Sequence, residues 1–226
     1  MARPALLVLP LACLFAQANP AFAECHQDTG ARAGSGCSDQ FLEDGVQLPE
    51  NPHLYHRMNP STAWGIPDLV DLLIEAGVRM REHLPYGSPF VVGDLSTERG
   101  GELEPHKTHR GGVDADIGLY RGGAWQPLGI LPFPAADLDV AANFLLLSTL
   151  LQSGRVDLIL LDRAHISTLR TWAVSHGVLD PTEAKLWFPP AGSRMERVGV
   201  GVVRHAPGHD GHIHLRVLCP DGSRAR

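Results

Sequence analysis

The sequence predicts an α+β fold, a small antiparallel sheet flanked by helices and long loops. Three observations predict it. Apolar residues recur at three- and four-residue steps in a few stretches of helical length. Short runs with alternating or continuous apolar character stand between them. The two kinds of element are mixed, without the regular strand–helix alternation of a parallel doubly wound sheet. The chain has 226 residues, 44% of them hydrophobic, which suits a single domain with its own core. Its 24 Gly and 18 Pro predict much loop and turn.

In chain order, residues 24–65 lack any sustained period and read as an irregular arm packed on the domain. A helix begins at Ile66-Pro67, where Pro suits the first turn, and carries Leu69, Val70, Leu73, Ala76 and Met80 on one face; it ends before Pro85. Phe90–Val92 is a short strand, followed by Gly93-Asp94-Leu95-Ser96, where Asp94 and Ser96 can order the loop. Val113 to Tyr120 alternates and reads as a strand. Asp137 can cap a helix running to Gln152, and Val156–Leu161 reads as a buried strand. A helix over Arg163–His176 stops at Gly177. Residues 180–197 read as loop, and Val198–Arg204 and His212–Leu218 as the last strands.

Residues 1–23 stand apart. A basic start at Arg3, an apolar run from Ala5 to Ala16 and Ala21-Phe22-Ala23 before Glu24 form the pattern of an export signal. The run is too short to span a bilayer, so no stable membrane insertion is expected after cleavage. The expected mature unit, residues 24–226, then retains Cys25, Cys37 and Cys219. In an oxidising compartment these suggest one disulfide from Cys37 or Cys25 to Cys219 and one leftover thiol. A formal charge of −6 argues against a nucleic-acid partner, which would need a basic face.

The 12 histidines are the compositional outlier. Two segments concentrate them: His106-Lys107-Thr108-His109-Arg110-Gly111-Gly112-Val113-Asp114-Ala115-Asp116, and His209-Asp210-Gly211-His212-Ile213-His214-Leu215-Arg216. On a strand, side chains alternate between faces. His212, His214 and Arg216 therefore share one face, and Ile213, Leu215 and Val217 the other. Asp114 and Asp116 share a face opposite Val113, Ala115, Ile117 and Leu119. If the two strands are neighbours, their polar faces converge, and the Gly111-Gly112 turn lets His109 swing back over them. Two imidazoles and one carboxylate around an open fourth position form a catalytic zinc arrangement. A His-x-His pair alone also arises by chance on surfaces; His109, with Asp116 seven positions on, is what strengthens the reading. Asp114 reads either as support for the ligands or as a solvated carboxylate, and Arg216 either as a contact for a substrate carboxylate or as half of an ion pair. His53, His56, His83, His165, His176 and His205 lack ligand spacing and are expected on the surface or in loops.

Several motifs, in this order, resemble penicillin-insensitive murein endopeptidases, a branch of the LAS metallopeptidases: Ala63-Trp64-Gly65-Ile66-Pro67, Val92-Gly93-Asp94-Leu95-Ser96, Gly100-Gly101, His106-x-x-His109-x6-Asp116 and His209-x-x-His212-x-His214-x-Arg216, ending in Cys219-Pro220. The resemblance implies an LAS/hedgehog-like fold whose sheet carries one Zn²⁺ per chain, held by His109, Asp116 and His214. It also implies that His106 approaches or ligates the metal, that His212 is the base or transition-state stabiliser, and that His209 lines the site. The implied activity is hydrolysis of peptide cross-links in peptidoglycan, of the D-alanyl–meso-diaminopimelyl type, in the periplasm; secretion is the alternative location. Where the family has Ser-His-Gln, this chain has Thr108-His109-Arg110, which places Arg110 as a further substrate contact. A D,D-carboxypeptidase or dipeptidase of the same fold, and a non-catalytic zinc- or wall-binding module, are the competing expectations.

Overall fold

A computed structural model describes residues 37–123, 129–193 and 201–226. The expected export signal and Cys25 lie outside the described residues.

Two short strands come first among the described residues, β1 (Val46–Gln47) and β2 (Tyr55–Arg57), and a third, β3 (Trp64–Gly65), pairs antiparallel with β1. Helix α1 (Pro67–His83) starts on Pro67 and buries Leu69, Val70, Leu72, Leu73, Ala76 and Met80. Strands β4 (Phe90–Val92) and β5 (Asp114–Gly118) follow, then α2 (Val140–Gln152), β6 (Val156–Leu161), α3 (Arg163–Ser175), a short α4 (Glu183–Trp187), β7 (Val203–His205) and β8 (His212–Val217). Among the described residues the main sheet has six strands, in the order β2-β4-β5-β8-β6-β7. Its four central strands are antiparallel, as expected, but both edge pairs, β2–β4 and β6–β7, run parallel, so the sheet is mixed.

Other departures are local. The arm expected to be irregular contributes β1, β2 and β3; segments of two or three residues are too short to show a period. Helix α2 is capped by Asp139, whose side chain accepts from the Ala142 N–H at 3.0 Å. Asp137 sits one turn earlier in a 3-10 segment and spends its carboxylate on Arg121 at 2.7 Å. Helix α4 lies where loop was expected. The β7 strand is described only from Val203, and residues 198–200 of its expected span lie outside the described residues. Helix α3 ends as expected, at Gly177, whose φ of 66° suits glycine.

One apolar cluster joins the inner faces of α1, α2 and α3 to Ala115, Ile117, Ile159, Leu161, Ile213 and Leu215 of the sheet. The opposite face of β5 and β8 is therefore left for polar chemistry. Cys37 and Cys219 form a disulfide across 182 positions, joining the start of the described chain to the residues just after β8. Among the described residues no helix is long and apolar enough to cross a membrane.

Candidate metal centre

The register of β5 against β8 builds the site. Asp114 lies opposite Arg216, Asp116 opposite His214, and Gly118 opposite His212. The strand periodicity thus brings the carboxylates and imidazoles to one face of adjacent strands, as the alternation predicts. His109 reaches them from the preceding loop. Its backbone is left-handed, with φ of 57°, and its N–H donates to Asp114 Oδ2 at 3.2 Å. The loop is braced from outside: a Cβ on Gly111 would fall 1.9 Å from the Ser38 carbonyl oxygen, so only glycine permits this approach.

Three atoms converge. His109 Nε2 and His214 Nδ1 are 3.1 Å apart. Each faces Asp116 Oδ1, at 3.3 Å and 3.1 Å respectively. The partners on the far side of each ring decide what these atoms are. His109 Nδ1–H donates to the Leu95 carbonyl at 2.8 Å, and His214 Nε2–H donates to Asp114 Oδ1 at 3.0 Å. When both rings are neutral, the inner nitrogens are bare lone pairs facing a carboxylate oxygen. Three acceptors so close together repel unless a cation lies among them. Ligands at about 2.0–2.1 Å from a tetrahedral Zn²⁺ stand roughly 3.3 Å from one another, which these separations match. The nitrogen and oxygen donor set also fits zinc better than calcium or magnesium.

His106 borders the same oxygen pair. Its Nε2–H donates to Asp94 Oδ2 at 3.0 Å, and its Nδ1 faces Asp116 Oδ2 at 3.7 Å. His106, His109 and Asp116 each offer a ligand atom within 4.8 Å of the others, a looser group than the one that includes His214. The tighter set is therefore His109, Asp116 and His214, with His106 at its side. His212 Nε2 stands 3.6 Å from Asp116 Oδ1, and the His209 ring lies 4.8 Å from that of His212. The five expected histidines and Asp116 of the two segments are thus gathered in one place.

The electrostatics follow the contacts. Burial raises the Asp116 pKa, but hydrogen bonds with His109 and His214 outweigh it and hold the carboxyl well below the usual range. Asp114 is likewise opposed by burial and held low by His214 and Arg216. Burial disfavours a charged His214, yet its bonds to Asp114 and Asp116 push it up to about 9. The hydrogen bond to Asp94 raises His106 and lowers Asp94 in return. His212 has no such carboxylate bond, and burial pushes its pKa down.

The two expected substrate-contacting arginines are placed differently. Arg216 is turned onto Asp114, with Nε 2.7 Å from Oδ1 and Nη2 2.9 Å from Oδ2. Arg110 lies beside Gln40 and Glu102, at 3.4 Å and 3.5 Å. His165, expected on the surface or in a loop, is buried in α3 with its ring against Phe133; His56 and His205 stand in strands. The Leu95 carbonyl on His109 carries no sequence signal, because every residue has one. The Asp94–His106 bond was open to reading as a carboxylate paired with a histidine, but the twelve-residue gap between them hides it.

Residues 30–127 match the sequence profile of a family described as penicillin-insensitive murein endopeptidase. The chain is also 28% identical over 180 residues to the penicillin-insensitive murein endopeptidase of Haemophilus influenzae, covering 73% of this chain and 54% of that protein. The chain is thus similar to penicillin-insensitive murein endopeptidases over these stretches. It spans about half the length of the curated relative it matches. The family match takes in His106, His109 and Asp116, while His209, His212 and His214 lie beyond it and join the site through the β5–β8 register.

Proposed function

We propose that this chain is a zinc-dependent peptidoglycan endopeptidase that hydrolyses peptide cross-links of the D-alanyl–meso-diaminopimelyl type. The observation that carries this reading is the convergence of His109 Nε2, His214 Nδ1 and Asp116 Oδ1 at 3.1–3.3 Å, with the outer nitrogen of each ring tied to an acceptor. Similarity to penicillin-insensitive murein endopeptidases suggests the substrate class. One Zn²⁺, when bound by these residues, would polarise the scissile carbonyl and lower the pKa of water towards neutrality.

The chain's own residues supply the rest. His212, half-buried and kept neutral near pH 7, is placed to take a proton from the attacking water and to pass it to the leaving amine. His209, against the His212 ring, helps hold that ring and faces His214 at 5.9 Å between ring centres. His106, fixed by Asp94, adds a hydrogen-bond donor or a further ligand beside Asp116. Arg110 remains a proposed substrate contact. The proposal extends to the LAS-type fold, to residues 24–226 as one peptidase domain, to removal of residues 1–23 on export, and to a periplasmic or secreted site of action. The disulfide accords with an oxidising compartment.

Muropeptide mass spectrometry after digestion of intact murein tests the reading. Cross-linked dimers should disappear, chelator should stop their loss, and added Zn²⁺ should restore it. Release of free D-Ala alone would assign a carboxypeptidase instead. Murein binding without any product, even with Zn²⁺, would assign a non-catalytic wall-binding module.

A further inference from the structure

Asp114 is more engaged than any other carboxylate described at the site. Its side chain is 1% exposed. Oδ1 accepts from His214 Nε2–H at 3.0 Å and from Arg216 Nε–H at 2.7 Å. Oδ2 accepts from Arg216 Nη2–H at 2.9 Å and from the His109 backbone N–H at 3.2 Å. A buried carboxylate is costly unless it is paired and fully hydrogen-bonded. Here both oxygens are saturated, and a two-pronged arginine neutralises the charge. The same group touches the ring of one expected ligand and the left-handed backbone of the other. These two residues are separated by 105 positions. By contrast, Asp94 supports His106 alone, with Thr62 Oγ1 donating to its other oxygen at 2.5 Å.

We propose that Asp114 is a positioning residue that couples the two imidazole ligands, and that Arg216 serves the centre by fixing Asp114 and not by contacting substrate. The inference rests on the metal-centre reading above. Asp114 selects the His214 tautomer that turns Nδ1 inward, and it holds the loop conformation that turns His109 Nε2 inward. Arg216 keeps both carboxylate oxygens facing away from the cation, so that Asp114 orients ligands without becoming one. Losing Asp114 thus disturbs two ligands at once, whereas losing Asp94 disturbs one neighbour.

The test is zinc affinity by chelator competition, with ¹⁵N NMR of the zinc-loaded protein to follow exchange protection of His214 Nε2–H. Asp114→Asn cannot accept from all four donors, and its zinc affinity should fall about 10–100-fold, with faster Nε2–H exchange. Arg216→Met should fall about tenfold, and Arg216→Lys, which keeps the charge but loses the fork, should lie between it and wild type. Asp94→Asn should lose less than Asp114→Asn. If Asp114→Asn does not fold, the charge-balanced Asp114→Asn/Arg216→Met double variant is measured in its place, and the same fall is expected. Wild type that binds no zinc would overturn the centre itself. Wild type that binds zinc, with Asp114→Asn or the double variant within twofold of it, would overturn the coupling alone. An Arg216→Met protein with unchanged zinc affinity and a raised KM for murein peptides would return Arg216 to the substrate.

Discussion

The two faces of β5 and β8 share a backbone and differ in everything else. On one face Ala115, Ile117, Ile213 and Leu215 are fully or almost fully buried and belong to the common core. On the other, Asp114, Asp116, His214 and Arg216 are held by directed hydrogen bonds, with His212 Nε2 at 3.6 Å from Asp116. The apolar face is held by area removed from water, which tolerates small shifts in direction. The polar face is held by geometry, where a wrong tautomer or a rotated carboxylate would undo the proposed centre while leaving the apolar packing intact. The difference teaches that apolar packing and directed polar contacts in this sheet can be broken separately, although adjacent residues carry them.

The largest break should come from His214→Ala. It removes a ligand and leaves Asp114 and Asp116 without their imidazole partner; murein hydrolysis should fall to background and zinc stoichiometry below one per chain by metal analysis. Next, His212→Ala should keep zinc at full stoichiometry while turnover drops roughly 10²–10⁴-fold, the usual contribution of a proton-transfer group. On the opposite face, Leu215→Ala should cost about 2–5 kcal/mol in chemical denaturation, because Leu215 packs between Ala115 and Ile159 in the sheet. Its folded fraction should still bind zinc with unchanged stoichiometry, which sharpens the separation of the two faces.

The smallest expected effect concerns protons. In the metal-free protein His214 is raised from 6.5 to about 9. A raised folded value means that its stabilisation is fully present below about 6.5 and is lost as pH climbs through about 9. The Tm of the metal-free protein should therefore fall over that interval, while the zinc-loaded protein shows no such loss. Zinc uptake at pH 7 should release about one proton, read by calorimetry in buffers of different ionisation enthalpy. No proton release at pH 7, with zinc bound, would contradict a charged His214.

Much of this was legible in the residues. The period-2 patterns over 113–120 and 212–218 place Asp116 and His214 on one face, and the register pairs them directly. The pattern at 67–83 gives α1 because five apolar positions fall at helical steps and a proline opens it. Other features have no local signature. The β2 strand is three residues long and is recruited by Phe90–Val92, a partner more than 30 positions away. Arg216 has the same letter whether it meets substrate or Asp114, and only the register decides between them. His165 is buried because α3 turns that side towards Phe133, which spacing between histidines cannot report.

The bridge between Cys37 and Cys219 gives the centre a hasp. Cys219 lies just past the strand that carries His214. Cys37 begins the segment whose Ser38 carbonyl presses on Gly111, two residues from His109, and whose Gln40 carbonyl accepts from the Gly101 N–H. The strand and the loop that supply the imidazoles are thus fastened by a covalent link as well as by any ion they share. An ion leaving such a centre would not set its two halves adrift, so metal exchange need not mean unfolding. Reduction to a thiol pair would remove that fastening and leave the loop tied to the strand through Asp114 and any shared ion.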